Sequence, residues 1–290
     1  MADHKKIDEV TGVETTGHVW DDDLQELNNP MPKWWLYIMY ATIIWSIGYM
    51  VAYPAWPLAS DYTRGVLGYS QRQVVMDQVA AGRAAQAEFR DAIAQAELNE
   101  IQQNPELLEF ALAGGAAACG GNCAPCHGRG AQGFKGYPNL NDDDWIWGGD
   151  LEAVHTTIRH GIRNADEDSR QSDMPKFGQE QLLEKAQIND VAEYVLSLSD
   201  AATDQEAVGR GAAIFAEQCS SCHGENGAGN AELGAPNLAN GIWLYGGDKK
   251  DVVLSIHTGR GGVMPPWHTR LDDVTLKQLA VYVHSLGGGQ

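Results

Sequence analysis

The sequence predicts a helix-built chain: one membrane-spanning helix near the N-terminus, a helical spacer, and two copies of one small domain. Three observations carry this expectation. Residues 34–53 run without a charge. The stretch that follows is rich in Ala, Gln and Glu and holds two helix-start signals. From residue 114 onward a set of short blocks occurs twice in the same order, with no βαβ pattern around either set.

Residues 1–32 are polar and acidic without apolar periodicity, and are expected to lack stable structure of their own. The uncharged run is 20 residues long. At about 1.5 Å per residue it spans the roughly 30 Å hydrocarbon layer of a bilayer. Trp34 and Trp35 at one end, with Tyr53 and Trp56 at the other, suit the two interfacial belts. Pro54 and Pro57 discourage further regular helix, so residues 33–57 are assigned to the anchor. The run starts late and lacks a small-residue cleavage site, which argues against a removed signal peptide.

Residues 58–110 are expected to form a helical spacer without a catalytic constellation. Ser70 is a candidate N-cap for a helix reaching about Asn99. Asn104, Pro105 and Glu106 read as N-cap, proline at the first helical position and an acidic first turn.

The repeat defines domains at 111–200 and 201–290, joined by a polar linker over 199–205. Pro138-Asn139-Leu140 matches Pro236-Asn237-Leu238, and Trp145-Ile-Trp147-Gly-Gly-Asp150 matches Trp243-Leu-Tyr245-Gly-Gly-Asp248. Ile158-x-x-Gly161 matches Ile256-x-x-Gly259, Met174-Pro175 matches Met264-Pro265, and Tyr194 matches Tyr282. Between the Ile-x-x-Gly and Met-Pro blocks the first copy carries eight additional residues, in the acidic loop 164–173.

Each copy opens on Cys-x-x-Cys-His: Cys123, Cys126 and His127, then Cys219, Cys222 and His223. Two thiols at this spacing add to the two vinyl groups of one porphyrin, and the adjacent imidazole becomes the proximal iron ligand, so the motif reads as covalent c-type haem attachment. A redox Cys-x-x-Cys or half of a zinc site competes. Duplication in matched contexts weighs against both, and the missing βαβ pattern weighs against the redox reading. Two haem c groups are therefore expected.

The fifth cysteine, Cys119, takes the place of Phe215 four residues before a haem cysteine, and reads as a small buried apolar residue. The sixth iron position falls to Met174 and Met264, the only methionines after Met76, both followed by proline at the same stage of the repeat. A thioether opposite imidazole stabilises ferrous iron, which suits an electron carrier. His155, His160, His257 and His268 are rival ligands, but none recurs at corresponding places. Spacing leaves open whether each methionine serves its own domain or the two are exchanged; its own is expected.

Net charge is −19, with 39 acidic against 20 basic residues. This argues against a nucleic-acid partner and favours steering of a basic donor protein, with solubility alone as the competing reading of the charge. Haem c is attached outside the bacterial inner membrane, so both motifs are expected in the periplasm and residues 1–32 in the cytoplasm. Lys5, Lys6 and Lys33 agree with that orientation.

Over 114–286 the repeat resembles class I cytochrome c. The resemblance implies small all-α domains whose first and last helices cross, with Gly115 and Gly211 allowing close approach beneath Tyr194 and Tyr282. The fold class is then all-α, a single span and a spacer followed by tandem class I cytochrome c domains. Upstream, Thr15-Thr16-Gly17-His18-x-Trp20-Asp21, Leu24-x-Glu26-Leu27-Asn28-Asn29-Pro30-x-Pro32-x-Trp34-Trp35 and Tyr53-Pro54-Ala55-Trp56-Pro57 resemble the start of the dihaem subunit of cbb3-type cytochrome c oxidases. That resemblance implies a non-catalytic electron-transfer subunit in the inner membrane. It would accept electrons from a donor cytochrome c and pass them, through a monohaem subunit, toward the haem-copper subunit that reduces oxygen. A free-standing membrane-anchored dihaem shuttle, a dihaem peroxidase and the cytochrome subunit of a quinohaemoprotein dehydrogenase are the alternatives. Two matched Met-Pro positions oppose the peroxidase, which needs an open iron.

Overall fold

The computed structural model describes residues 6–21 and 24–287, which divide into two compact units at Ala84/Ala85. The first begins with an antiparallel hairpin of β1 (Thr15–Trp20) and β2 (Leu24–Leu27), with Thr15 opposite Leu27 and Trp20 opposite Leu24. This corrects the expectation that residues 1–32 lack structure. Hydropathy does not announce the hairpin, because strand pairing holds it, and a local turn ties the segment before β1 to it. Asp8 Oδ1 accepts from the Thr11 amide and hydroxyl, each at 2.7 Å, and Thr15 N–H donates to Lys6 O at 2.8 Å.

Helix α1 (Lys33–Ala52) buries none of its residues within the protein and is long and apolar enough to cross a membrane. Trp45, Tyr49 and Tyr53 stack down one side at 5.3 and 4.7 Å. Its last carbonyls, which a helix leaves unsatisfied, are closed by the returning chain: Val66 and Leu67 N–H donate to Val51 and Ala52 O at 2.9 and 3.1 Å. Gly65 permits this return, having φ +71°; a Cβ there would stand 2.4 Å from Ala52 O. Helix α2 (Gln71–Ala85) follows, with Ser70 Oγ accepting from Gln73 N–H at 3.3 Å.

The helix expected to reach Asn99 instead breaks into α2, α3 (Ala87–Gln95) and α4 (Leu98–Gln103). Ala96 is extended, and Glu97 with Glu100 forms a capping box that starts a new helix. The break lets Ile93, Leu98 and Ile101, all at most 3% exposed, turn into a core. That part of the expected spacer therefore belongs to the second unit.

Helix α5 (Pro105–Asn122) is capped by Asn104 Oδ1, which accepts from Glu106 and Leu107 N–H at 3.1 and 3.3 Å. It leads into α6 (Ala124–His127), and α7 (Leu151–His160) and α8 (Lys185–Ser197) follow. The second copy supplies α9 (Gln205–Gln218), α10 (Ser220–His223), α11 (Lys249–Thr258) and α12 (Asp273–Leu286).

The crossings are exchanged between the copies. α12 lies across α5, and α8 lies across α9. A Cβ on Gly115 would meet Gln278 O and Tyr282 Cβ, both at 2.4 Å, and one on Gly211 would meet Asp190 O at 2.1 Å beside Tyr194 Cβ. One core joins Ile93, Ile101, Ala111, Cys119, Leu151, Val154 and Ile158 to Leu276, Leu279 and Val283 of α12. The other joins Phe215, Val252 and Ile256 to Ile188, Val191, Val195 and Leu196 of α8. Cys119, 6% exposed, fills the place that Phe215, 1% exposed, fills in the second core.

The connection 198–204 explains the exchange. Short helix–helix connections favour packing of the two helices they join, and this one is stapled. The buried carboxylate of Glu193, on α8, accepts from Thr203 N–H at 2.8 Å, Thr203 Oγ1 at 2.9 Å and Asp204 N–H at 3.2 Å. It also pairs with Lys249 Nζ at 2.7 Å on α11. Burial opposes ionisation of Glu193, but Lys249 and the donors of Thr203 and Asp204 outweigh it and hold its pKa at about 2, against an ordinary 4.5. Because the folded value is the lower, the carboxylate stabilises the fold fully above pH ~4.5 and loses this contribution as pH falls toward 2. With Lys249 half exposed, Glu193→Gln is expected to cost about 2–3 kcal/mol at pH 7. Denaturant unfolding of the wild type and variant across pH 7 to 3 measures this; a gap that does not narrow on acidification contradicts it.

Candidate functional site

Each Cys-x-x-Cys-His forms one turn at the end of a helix. Cys126 and His127 N–H donate to Cys123 O at 3.1 and 2.9 Å, and Cys222 and His223 N–H donate to Cys219 O at 3.1 and 3.0 Å. A single helical turn brings residues i and i+3 to one face, so each thiol pair addresses the same side. Gly128 and Gly224, at φ +83° and +78°, end these turns.

The proline of each Pro-Asn-Leu block completes the site. His127 Nδ1–H donates to Pro138 O at 2.9 Å, and His223 Nδ1–H donates to Pro236 O at 3.0 Å. A carbonyl only accepts, so the proton is fixed on Nδ1 and the Nε2 lone pair is left for a metal. Burial lowers the His223 pKa and outweighs the opposing Pro236 bond.

A cavity of about 760 Å³ receives both motifs. Its walls include Cys123, Cys126, His127, Met174, Cys219, Cys222, His223 and Met264, so all eight residues read from the sequence meet in one space. None of the rival histidines His155, His160, His257 and His268 lines it.

The methionines are not placed as expected. Met264, from the second copy, packs in the core of the first motif, and Met174 packs in the core of the second. Backbone pairing fixes the exchange: Ile162 and Met264 trade N–H···O bonds at 3.0 Å each, and Met174 N–H donates to Arg260 O at 3.0 Å. The glycine of each Ile-x-x-Gly block makes room. Gly161 has φ +69°, and a Cβ there would meet Met264 O; Gly259 has φ +67°, and its Cβ would stand 2.4 Å from Met174 O. The same short connection that pairs α8 with α9 carries Met174 to the second core.

Two arginines escaped the sequence reading. Arg163 stands 5.6 Å from the Trp147 ring centroid and Arg260 stands 4.2 Å from that of Tyr245, and all four side chains line the cavity. The matched Trp147 and Tyr245 were a signal for them, since a guanidinium packs readily on an aromatic face. The lining is largely apolar, with Asp144 and Asp173 beside the two arginines, and Arg163 pairs with Asp173 at 2.8 Å. Guanidiniums at such a wall suit the carboxylates of a porphyrin. Paired thiols, an imidazole with Nδ1 committed, a thioether and a guanidinium together fit haem c.

Comparison with known proteins agrees. Residues 112–199 match the cytochrome c family model, and residues 206–283 match that of cytochrome c oxidase, cbb3-type, subunit III. Residues 12–60 match the N-terminal domain of cytochrome oxidase-cbb3, FixP. The chain is thus an all-α protein with tandem cytochrome c domains, which imply haem c binding. It is 55% identical over 288 residues to the cbb3-type cytochrome c oxidase subunit FixP of Azorhizobium caulinodans, covering 99% of this chain and 97% of that one. It is 53% identical to the subunit CcoP of Azospirillum brasilense over 293 residues, covering 99% of each. It is 52% identical to the FixP of Rhizobium meliloti over 292 residues, covering both chains fully. The chain belongs to the FixP/CcoP family of cbb3-type cytochrome c oxidase subunits. It is the cytochrome electron-transfer subunit of that oxidoreductase complex.

Proposed function

We propose that the chain holds two haem c groups, takes electrons from a donor cytochrome c and passes them through the monohaem subunit toward the haem-copper subunit, where oxygen is reduced. It then contributes no catalytic residue of its own. Cys123, Cys126, His127 and Met264 would hold one haem; Cys219, Cys222, His223 and Met174 would hold the other. When bound, each haem supplies a one-electron couple with no bond made or broken. The protein sets that couple. Pro138 and Pro236 orient the imidazoles, and the soft thioethers favour ferrous iron and a raised potential. Largely apolar walls would limit water, while Arg260, and Arg163 beside its partner Asp173, would face the porphyrin carboxylates. α1 anchors the chain in the bacterial inner membrane lipid, with the N-terminus cytoplasmic and the haem domains periplasmic.

The observation that carries this reading is the convergence of both imidazoles and both methionines on one cavity, which supports passage of an electron from one haem to the next. Purification of the complex from solubilised membranes tests it. The chain is expected to co-purify with a haem-copper subunit, and His127→Ala is expected to lower turnover with a soluble donor cytochrome at least tenfold. A chain that purifies alone with full donor oxidation elsewhere identifies a free shuttle instead.

A further inference from the structure

Outside the cavity, three side chains from three separate stretches converge. His160 ends α7, Asp166 lies in the loop 164–173, and His268 follows the Met264-Pro-Pro segment. His160 Nδ1 is 2.9 Å from Asp166 Oδ1, His268 Nε2 contacts Asp166 Oδ2, and the donor atoms all lie within 4.8 Å of one another. Among the described residues no other trio of His, Cys, Asp or Glu donors gathers this closely. We propose that His160, Asp166 and His268 bind a divalent transition metal of the Zn²⁺ class.

The donor set fits that choice. Two imidazole nitrogens and one carboxylate oxygen are the borderline ligands zinc takes, with a fourth tetrahedral position left for water or another carboxylate. Asp168 Oδ2, 3.9 Å from His160 Nδ1, is at hand for it. The three side chains are 11–32% exposed, so an ion can enter without unfolding the region. Binding would replace the hydrogen bonds that the two imidazoles now make to the Asp166 carboxylate.

The two-fold repeat argues that the trio is not required by the fold. Thr258 stands where His160 stands in the other copy, Gly178 stands where His268 stands, and the loop that carries Asp166 is the eight-residue addition. The second copy builds the same crossing without any of them. The loop is also shaped to present Asp166: Asn164 Oδ1 accepts from Asp166 N–H at 2.8 Å, and Asp166 O accepts from Ser169 N–H at 3.1 Å. Asn164 Nδ2 donates at 2.8 Å both to His160 O and to Met264 O. A metal here therefore clamps the exchanged Met264 segment onto the end of α7.

Metal-stripped full chain, purified with its haems in detergent, is titrated with Zn²⁺ against a chromophoric chelator. One equivalent is expected at a Kd of about 1 µM or tighter, with Asp166→Asn and His268→Gln each weakening it at least tenfold. His18→Gln, in the other unit, is expected to leave it unchanged. X-ray absorption at the zinc edge of the loaded wild type gives a readout that needs no variant, with two imidazoles expected in the first shell. No equivalent bound at 10 µM Zn²⁺, an equivalent that survives both substitutions, or a shell with fewer than two imidazoles overturns the proposal.

Discussion

Met264→Ala is expected to remove the sixth ligand from the haem held at Cys123, Cys126 and His127, and not from the one held in its own sequence repeat. The reason is geometric. Met264 packs with Cys119, Leu151 and Ile158, whereas Phe215 and Ile256 around the second motif pack with Met174. Loss of a thioether opposite imidazole lowers the reduction potential by on the order of 0.1 V or more and opens the iron to added ligands. The measurement is made in a chain carrying Cys219→Ala and Cys222→Ala, so that one haem remains. There, Met264→Ala should convert the ferric haem from six-coordinate to an open, high-spin state that binds imidazole from solution. Met174→Ala should leave that haem intact. The opposite assignment would show ligation within each repeat and contradict the packing.

Much of this site is legible in the residues. The doubled Cys-x-x-Cys-His marks both turns that bring two thiols and an imidazole together, and Met174 and Met264 stand out by scarcity. Asn104-Pro105-Glu106 marks the start of α5 correctly, and Cys119 lies buried where its alignment with Phe215 puts it. What the sequence hides is pairing over distance. α8 and α12 carry matched Tyr-Val motifs, and Gly115 and Gly211 are equally accommodating, so both pairings satisfy the same local pattern. The choice between them rests on the short connection 198–204 and on Glu193, whose burial no hydropathy pattern announces. The helix break at Ala96 is hidden for a related reason: residues of good helix propensity continue through it, and the gain from burying Ile93 and Ile101 overrides them. The hairpin near the N-terminus is held by main-chain bonds, which leave little trace in composition.

Ending the chain after Leu271 should abolish the haem unit nearer the N-terminus in sequence and spare the one nearer the cut. This deletion removes α12, whose Leu276, Leu279, Val281 and Val283 are each at most 4% exposed. Burying an aliphatic side chain of this size stabilises by about 1.5–3 kcal/mol. Four of them amount to roughly 6–12 kcal/mol, comparable with the whole stability of a domain. Their neighbours are Ile93, Ile101, Ala111 and Cys119, so the loss falls on the core that backs Cys123 and His127. The salt bridge from Arg90 to Asp272, 2.7 Å, is lost as well. So are the three bonds by which Lys277 Nζ closes the carbonyls of Ile93, Ala94 and Ala96 at 3.2, 3.1 and 2.6 Å. No buried residue of α12 belongs to the other core, where α8 already covers α9 and Met174 is in place. Haem-stained fragments from limited proteolysis, together with a redox titration, distinguish the outcomes: one protected haem at Cys219 and Cys222 with an unchanged potential is expected. Within-repeat packing predicts the reverse, because α12 would then cover Phe215. The cut therefore reports on chain connectivity through a haem that the deleted segment, by sequence alone, should not touch.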